Sequence, residues 1–306
     1  MRLRVVAALV LLGSVHASAR AQTTTYSSSD SIEAFRGTWY RAAVAVGTYA
    51  SVGMIVMEHT WYRDRDLVRF HFYDDSQAYL QVDKFGHAFG SYLQSYAGYH
   101  WFLKAGATTR EAILYGASWG FLLQTPIEIM DGIHEGWGFS WSDMAANAVG
   151  SGLVIGQAML FDEQIARYKF SYAPSRYAAI ANGYLGTSPL SRLLEDYNGH
   201  TYWLSVPLAR LAGAERLPPW LCLSVGYGAN GMIGEMENIT SYEGMDIPPI
   251  VRYRQYYLSL DVDWSRVRVR SKLLRAVLRG VGFVKVPFPS LEFTSRGRIC
   301  PCLTCN

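Results

Sequence analysis

A small set of charged and amide side chains lies inside segments of the sequence that are otherwise apolar. Asp83 and His87 are four residues apart, and Asp143 and Asn147 repeat that spacing further along the chain. Residues three or four apart share one face of an α-helix. Antiparallel packing of neighbouring helices brings such faces to one end of a bundle. We therefore predict one polar cluster, with the candidate catalytic residues Asp83, Lys84, His87, Glu128, Asp131, Asp143 and Asn147.

The cost of burying ionised groups leaves three interpretations of this cluster open. The first is a satisfied polar network that fixes helix register, with Lys84 paired to a carboxylate. The second is a metal site, because carboxylates and histidine on facing helices bind iron, manganese or zinc. The third is acid–base catalysis, in which His87 and a carboxylate move protons while Lys84 or Arg110 holds an anionic group. The sequence leaves the metal unassigned and contains no cofactor-binding motif.

Four long apolar segments in the first half of the chain must position these residues, and each is too long for a strand. They are Ser31–Val56, Asp83–Lys104, Thr108–Ile133 and Ser140–Phe161. Thr108 and Glu111 have the spacing of a capping box, and Ser140 before Asp143 is typical of a helix N-terminus. The uncharged runs in these segments are close in length to the about 18 residues that indicate a membrane span. They are also rich in small residues, which allow close helix packing either in a membrane or in a tight soluble bundle, so both interpretations remain open.

The second half of the sequence changes character near Phe170. Leu221–Gly228 and Tyr256–Ser265 alternate in polarity, which predicts strands with one buried face. We count three or four strands, whereas a membrane barrel needs about eight or more. Ser271–Gly282 predicts a basic amphipathic helix, either a solvated surface helix or one that lies on an anionic membrane. The predicted fold class is mainly α, a four-helix apolar bundle followed by a small antiparallel β appendage.

The N-terminus has the features of an export signal. Arg2 and Arg4 precede the apolar run Val5–Leu12, and small residues at 17–21 offer cleavage sites. The run is too short to span a bilayer about 30 Å thick, which favours a cleaved signal peptide over an uncleaved anchor. The chain has 50% hydrophobic and 17% charged residues and a net charge of +3, which excludes a disordered chain and a basic stripe for nucleic acid.

Domain boundaries follow these changes of pattern. We assign residues 1–22 to a signal peptide, 31–165 to a helical domain, 170–298 to a mixed α/β appendage and 299–306 to a cysteine-rich tail. Cys300, Cys302 and Cys305 crowd this tail without a nearby histidine, so a fourth zinc ligand is missing. A frayed tail that forms one disulfide after export is the favoured interpretation.

Several motifs in the helical half resemble known bacterial families. They are Phe70-His71-Phe72-Tyr73-Asp74-Asp75, Asp83-Lys84-Phe85-Gly86-His87, Glu128-x-x-Asp131 and Ser142-Asp143-x-x-x-Asn147-x-x-Gly150. In this order they resemble the YfiM family of bacterial envelope lipoproteins, a domain of unknown function. The Asp-Lys-x-x-His and Asp-x-x-x-Asn-x-x-Gly pair is also similar to VanZ-like membrane proteins, which are linked to glycopeptide resistance. The resemblance covers about Ser31–Phe161 and implies an envelope location and a helical domain, with no lipidated cysteine in this chain.

Two function classes follow from these observations. The first is an exported cell-envelope protein with a structural or interaction role at a membrane, whose partner is membrane lipid or an envelope component and not nucleic acid. The second is a hydrolase or transferase that acts on a lipid-linked or cell-wall substrate through the His/carboxylate cluster, with or without a metal. The two differ in access, because a structural network is closed to solvent whereas a catalytic cluster faces a pocket. Substrate and oligomeric state are not assigned.

Overall fold

The computed structural model describes residues 65–214 and 216–302, together with individual residues between 40 and 63. The predicted signal peptide, most of the predicted helix Ser31–Val56 and the end of the cysteine-rich tail lie outside the described residues. The nine described residues between 40 and 55 are all helical. One of them, Tyr49, accepts a hydrogen bond from Gln94 at 3.0 Å, so this segment lies beside the helix that carries Gln94.

Helices make up the first half of the described chain. They are α1 (Val82–Lys104), α2 (Thr109–Ala112), a π-helical turn (Ile113–Ala117), α3 (Trp119–Gly132) and α4 (Trp141–Phe161). The predictions of α1 and α4 are confirmed to within a residue at each end. The prediction of one continuous helix over Thr108–Ile133 is wrong, because the π-helical turn separates α2 from α3. The predicted capping box is present, with Glu111 N–H donating to Thr108 Oγ1 at 3.3 Å and Thr108 N–H donating to Glu111 Oε2 at 2.8 Å.

Helix α1 is the centre of the core, because α3, α4 and the sheet all pack against it. Two glycines allow very close contact with its backbone. A Cβ atom would lie 2.1 Å from the Ala88 carbonyl oxygen at Gly150 and 1.9 Å from the Ser91 carbonyl oxygen at Gly120. Ser91 also donates to the Asn147 carbonyl oxygen at 2.6 Å. These contacts fix the depth and rotation of α1 against α3 and α4.

The second half contains one antiparallel sheet of six strands in the order β1-β2-β3-β6-β7-β8. The strands are β1 (Arg167–Tyr172), β2 (His200–Pro207), β3 (Leu221–Asn230), β6 (Tyr253–Val262), β7 (Ser290–Thr294) and β8 (Ile299–Cys302), while β4 (Ser241–Tyr242) and β5 (Met245–Asp246) pair separately. Three short helices connect them, α5 (Pro189–Glu195), α6 (Leu208–Ala212) and α7 (Lys272–Gly280). The predicted strands β3 and β6 and the predicted basic helix are present.

The predicted fold class is wrong, since this sheet spans the C-terminal half and makes the protein a mixed α/β fold rather than a mainly α protein with a small β appendage. Strand β2 was missed because most of it is buried on both faces and therefore shows no alternation. Trp203 is 3% exposed and its neighbour Tyr202 is 5% exposed. On β1, Lys169 is fully buried, so a charged residue at this position does not indicate the solvent-facing side of the strand.

Around β6 and the adjoining part of β3, the two faces of the sheet have the opposite polarity to a sheet in water. On β6, Ser259 and Asp261 are buried, whereas Leu258 and Leu260 are 37% and 40% exposed. Val225, the cross-strand neighbour of Leu258 on β3, is 54% exposed. Helix α1 covers the face that carries Val225 and Leu258 only near β1, β2 and the end of β3. There Phe85 stacks on Tyr227 with 4.5 Å between the ring centroids.

A buried ionic network holds the other face together. Lys169 Nζ lies 2.7 Å from Asp261 Oδ2, and Ser205 donates to the same oxygen at 2.6 Å. Lys285 Nζ donates to Ser259 Oγ at 3.0 Å and lies 4.0 Å from Asp261 Oδ1. Around Ser259 and Asp261, this part of the sheet therefore has charged groups inside and leucines outside.

Candidate polar site in the helical half

Lys84 lies at the centre of the buried polar cluster. Its Nζ atom is 2.6 Å from Asp75 Oδ2, 3.0 Å from Asp83 Oδ2 and 2.7 Å from Asp143 Oδ1. The three carboxylates come from the loop before α1, the first turn of α1 and the first turn of α4. Burial by itself lowers the pKa of the Lys84 ammonium, but the charges of Asp83 and Asp143 outweigh burial and raise it. Lys84 is therefore a permanent cation that ties three elements together.

His87 occupies the next turn of α1 and faces carboxylates on both sides of its ring. Its Nε2 atom lies 3.9 Å from Asp83 Oδ1 and 3.8 Å from Asp143 Oδ1. Its Nδ1 atom lies 3.2 Å from Oε1 of Glu128, which is fully buried on α3, at an angle that falls short of a full hydrogen bond. Burial opposes the charged imidazolium, yet Asp83, Glu128 and Asp143 together raise the pKa of His87 to about 10.

Asn147 and Asp143 complete the cluster from the first two turns of α4. Asn147 Nδ2 donates to Glu128 Oε1 at 3.4 Å. Burial raises the pKa of Asp143 to about 8, and the charge of Asp83 adds to this effect while His87 and Lys84 oppose it. Two buried oxygen atoms of the cluster, Glu128 Oε2 and Asn147 Oδ1, have no hydrogen-bond partner among the described residues.

Six of the seven candidate residues thus lie together, and Asp131 does not join them. Asp131 Oδ1 accepts a hydrogen bond from the Tyr62 hydroxyl at 2.6 Å. Burial raises the pKa of Asp131 to about 6, which the hydrogen bond from Tyr62 opposes. Residues three apart on a helix are rotated by about 60° from each other, so a Glu128 that faces α1 leaves Asp131 at the side.

Four residues that the sequence did not single out as candidates take part in the cluster. Ser140 and Ser142 both donate to Asp75 Oδ1, at 2.5 Å and 2.7 Å. Ser140 also caps α4, because its Oγ accepts the Asp143 N–H at 3.0 Å. The Tyr197 hydroxyl donates to Asp83 Oδ1 at 3.0 Å from just before β2. The Ser140-x-Ser142-Asp143 sequence gave a signal for the two serines as a helix cap, whereas no pattern indicates Tyr197.

The start of α1 is held in an unusual backbone conformation by the sheet. Three consecutive residues have left-handed dihedrals, Tyr79, Leu80 and Gln81, with φ of 45°, 52° and 70°. Left-handed backbone costs an L-residue about 1–2 kcal/mol, so such a turn persists only where contacts hold it. Tyr227 on β3 donates to the Leu80 carbonyl oxygen, and Arg254 on β6 donates to Gln81 Oε1 at 2.8 Å. The sheet therefore sets where Asp83 and Lys84 enter the cluster.

Access to the cluster is narrow but not closed. The side chains of Asp83 and His87 are 16% and 19% exposed, while those of Asp143 and Glu128 are 5% and 0% exposed. The site is therefore a buried charge network that reaches solvent on the side of Asp83 and His87.

The fold and this site define a mixed α/β protein with a charge cluster in its helical half. Residues 71–159 match a family described as "Predicted periplasmic lipoprotein (DUF2279)", whose function is unknown. The match covers under a third of the chain and includes the whole cluster except Tyr197. It agrees with the export signal predicted at the N-terminus, and the protein is exported to the cell envelope. Neither a curated protein nor a solved structure matches the chain.

Proposed function

We propose that this exported protein has a structural or interaction role at a membrane, with the exposed face of its sheet against lipid acyl chains. The inverted polarity of the sheet carries the proposal. Strands that face lipid place apolar side chains outward and polar side chains inward, as β6 does with Leu258 and Leu260 outside and Ser259 and Asp261 inside. In water the exposed leucines lose the free energy of burial, about 1.5–3 kcal/mol for a complete side chain.

A groove on this face has the chemistry of a site for one acyl chain. Its volume is about 440 Å³, and it is open along one side. Six apolar residues line most of it, namely Leu223, Leu258, Leu260, Pro289, Leu291 and Pro301. The groove has no charged lining residue, which favours lipid over a polar peptide.

Helix α7, which follows β6 along the chain, also supports the proposal. None of its residues is buried, and even its apolar residues Leu273 and Val277 are 67% and 50% exposed. Lys272, Arg275 and Arg279 supply three positive charges on the same short helix. An exposed amphipathic helix of this kind binds an anionic membrane surface, with about 1 kcal/mol from each basic residue near the headgroups.

Exposed aromatic and apolar residues in the helical half are a further contact surface. Phe72 and Trp141 stack with ring centroids 6.2 Å apart and are 62% and 68% exposed. Aromatic side chains are enriched at the lipid headgroup level. Among the described residues, α4 alone is long and apolar enough to cross a membrane by length and composition. We also propose that the chain is related to the YfiM family and to VanZ-like membrane proteins, and that residues 31–165 and 170–298 form two domains.

Vesicle flotation tests the proposal with a matched pair of variants. The purified mature chain should float with vesicles of phosphatidylethanolamine and phosphatidylglycerol. Val225→Gln/Leu258→Gln should weaken binding by on the order of tenfold or more, because each change removes about 1 kcal/mol of apolar contact. Leu190→Gln/Leu194→Gln on α5 replaces two exposed leucines outside the sheet and should bind as wild type. Equal binding by both variants, or a dimer in solution that does not float, would overturn the proposal.

The second candidate function is an enzyme, a hydrolase or transferase on a lipid-linked or cell-wall substrate. The observation that favours it is the solvent-facing edge of the cluster at Asp83 and His87. In this proposal His87 and a carboxylate move protons and Lys84 orients an anionic group. Its test is product formation from a lipid-linked cell-wall precursor, which His87→Gln must abolish while the variant still floats with vesicles.

A further inference from the structure

We propose that Asp83, His87 and Asp143 bind one divalent first-row transition-metal ion. The ligand atoms are Asp83 Oδ1, His87 Nε2 and Asp143 Oδ1, and all three lie within 4.8 Å of one another. His87 Nε2 is 3.9 Å from the first oxygen and 3.8 Å from the second. Ligands about 2.0–2.2 Å from a metal ion are separated by about 3–3.5 Å, so the two separations from His87 Nε2 must each shorten by about 0.3–0.9 Å when an ion binds.

The three ligands lie on rigid elements that already converge. Asp83 and His87 are four residues apart on α1, and Asp143 lies in the first turn of α4. Gly150 places the α4 backbone against α1 at Ala88, one residue after His87. Binding therefore requires no rearrangement of the backbone.

The far side of the His87 ring has the partner that metal-binding histidines need. A ligating imidazole usually donates its other N–H to a carboxylate, which fixes the tautomer and strengthens the ligand. Glu128 Oε1 lies 3.2 Å from His87 Nδ1 and is itself held by Asn147 at 3.4 Å. Tyr197 gives the corresponding support to Asp83, because its hydroxyl donates to the ligating Oδ1 at 3.0 Å.

The charge of the cluster points independently to a cation at this position. Glu128 Oε2 is a fully buried carboxylate oxygen without a hydrogen bond, and Asp143 Oδ1, on a residue that is 3% exposed, has only the Lys84 ammonium at 2.7 Å as a partner. Lys84 engages Asp83 through Oδ2 and leaves Oδ1 facing His87. The cluster holds four carboxylates, those of Asp75, Asp83, Glu128 and Asp143, against one lysine and one histidine. A divalent ion at this position offsets the excess negative charge.

The donor set selects the class of metal. Two carboxylates and one imidazole suit zinc, manganese or iron, whereas calcium and magnesium take oxygen ligands almost exclusively. Three protein ligands leave at least one coordination position free toward the solvent-exposed side of Asp83 and His87. This inference does not depend on the membrane proposal, because the sheet face and the cluster share no residue.

A chelator-competition titration tests the site on the full mature chain after treatment with EDTA and desalting. Zn²⁺ and Mn²⁺ are titrated against a chromophoric chelator, and wild type should bind one ion per chain. His87→Gln and Asp143→Asn should each weaken binding at least 100-fold, and Glu128→Gln should weaken it about 10–100-fold. His100→Gln, on the same helix, is the matched control and should bind as wild type.

Circular dichroism of each variant shows whether it is folded before it is titrated. If His87→Gln does not fold, Asp143→Asn and Glu128→Gln, which preserve side-chain shape, decide the result. Absence of a stoichiometric ion in wild type overturns the proposal. Wild-type affinity in any folded ligand variant, or equal losses in His87→Gln and His100→Gln, overturns it as well.

Discussion

Replacing Lys84 with methionine is the sharpest perturbation of the buried cluster. Methionine keeps most of the length of the side chain and removes the charge that contacts three carboxylates within 3.0 Å. The Lys84 side chain is 11% exposed, so water does not replace the lost partner. Removing one member of a buried ion pair typically costs 3–5 kcal/mol, because the remaining charges are left uncompensated. We expect Lys84→Met to lose about 3–5 kcal/mol, on the order of 10 °C in Tm.

Urea unfolding followed by tryptophan fluorescence measures this change in the metal-free protein. Lys104→Met, at the exposed end of the same helix, is the matched control and should lose less than about 1 kcal/mol. The slope of the free energy against urea should be equal in the two variants if both unfold from the same folded state. Lys84→Met within 1 kcal/mol of the control would refute the reasoning that Lys84 neutralises the cluster.

Three further predictions concern packing, a hydrogen bond and pH. Gly150→Ala places a Cβ 2.1 Å from the Ala88 carbonyl oxygen and should cost at least about 1–3 kcal/mol in urea unfolding. Tyr197→Phe removes the hydrogen bond to Asp83 and should cost about 1.5–3 kcal/mol in the same assay. Burial and nearby Arg167 lower the pKa of His100 to about 4, so the unfolded chain takes up a proton first as pH falls. Stability should drop by up to about 3 kcal/mol between pH 6.5 and 4, and His100→Gln should remove that part of the slope. Unchanged unfolding free energies, or an equal pH slope in His100→Gln, would contradict these expectations.

Helical periodicity in the sequence was enough to predict much of the helical half and of the site. Asp83 and His87 share a face because they are four residues apart, and the same spacing aligned Asp143 with Asn147. Asp75 could not be found in this way, because it lies in a loop where no periodicity applies. Tyr197 is 114 residues from Asp83 in sequence, and its contact depends on how the sheet docks on α1.

The sheet shows why the fold class was missed. Alternation identifies a strand when one face is buried, and β6 follows that rule with its apolar face outward. An alternating sequence is the same whether its apolar or its polar face is buried. The sequence therefore could not reveal that Ser259 and Asp261 lie on the buried face. Strand β1 is hidden for another reason, since Lys169 has no exposure and pairs with Asp261 across the sheet. Such long-range ion pairs leave no local signal.

Spin-label accessibility along β6 tests the central claim most directly. Single labelled cysteines at positions 256 to 260, in vesicles, are compared for collision with oxygen and with a water-soluble nickel complex. The account predicts that labels at Tyr256, Leu258 and Leu260 collide with oxygen and are shielded from nickel, whereas labels at Tyr257 and Ser259 meet neither. Collision of the Leu258 label with nickel as strong as that of a label on the water-exposed surface would contradict contact between this face and lipid.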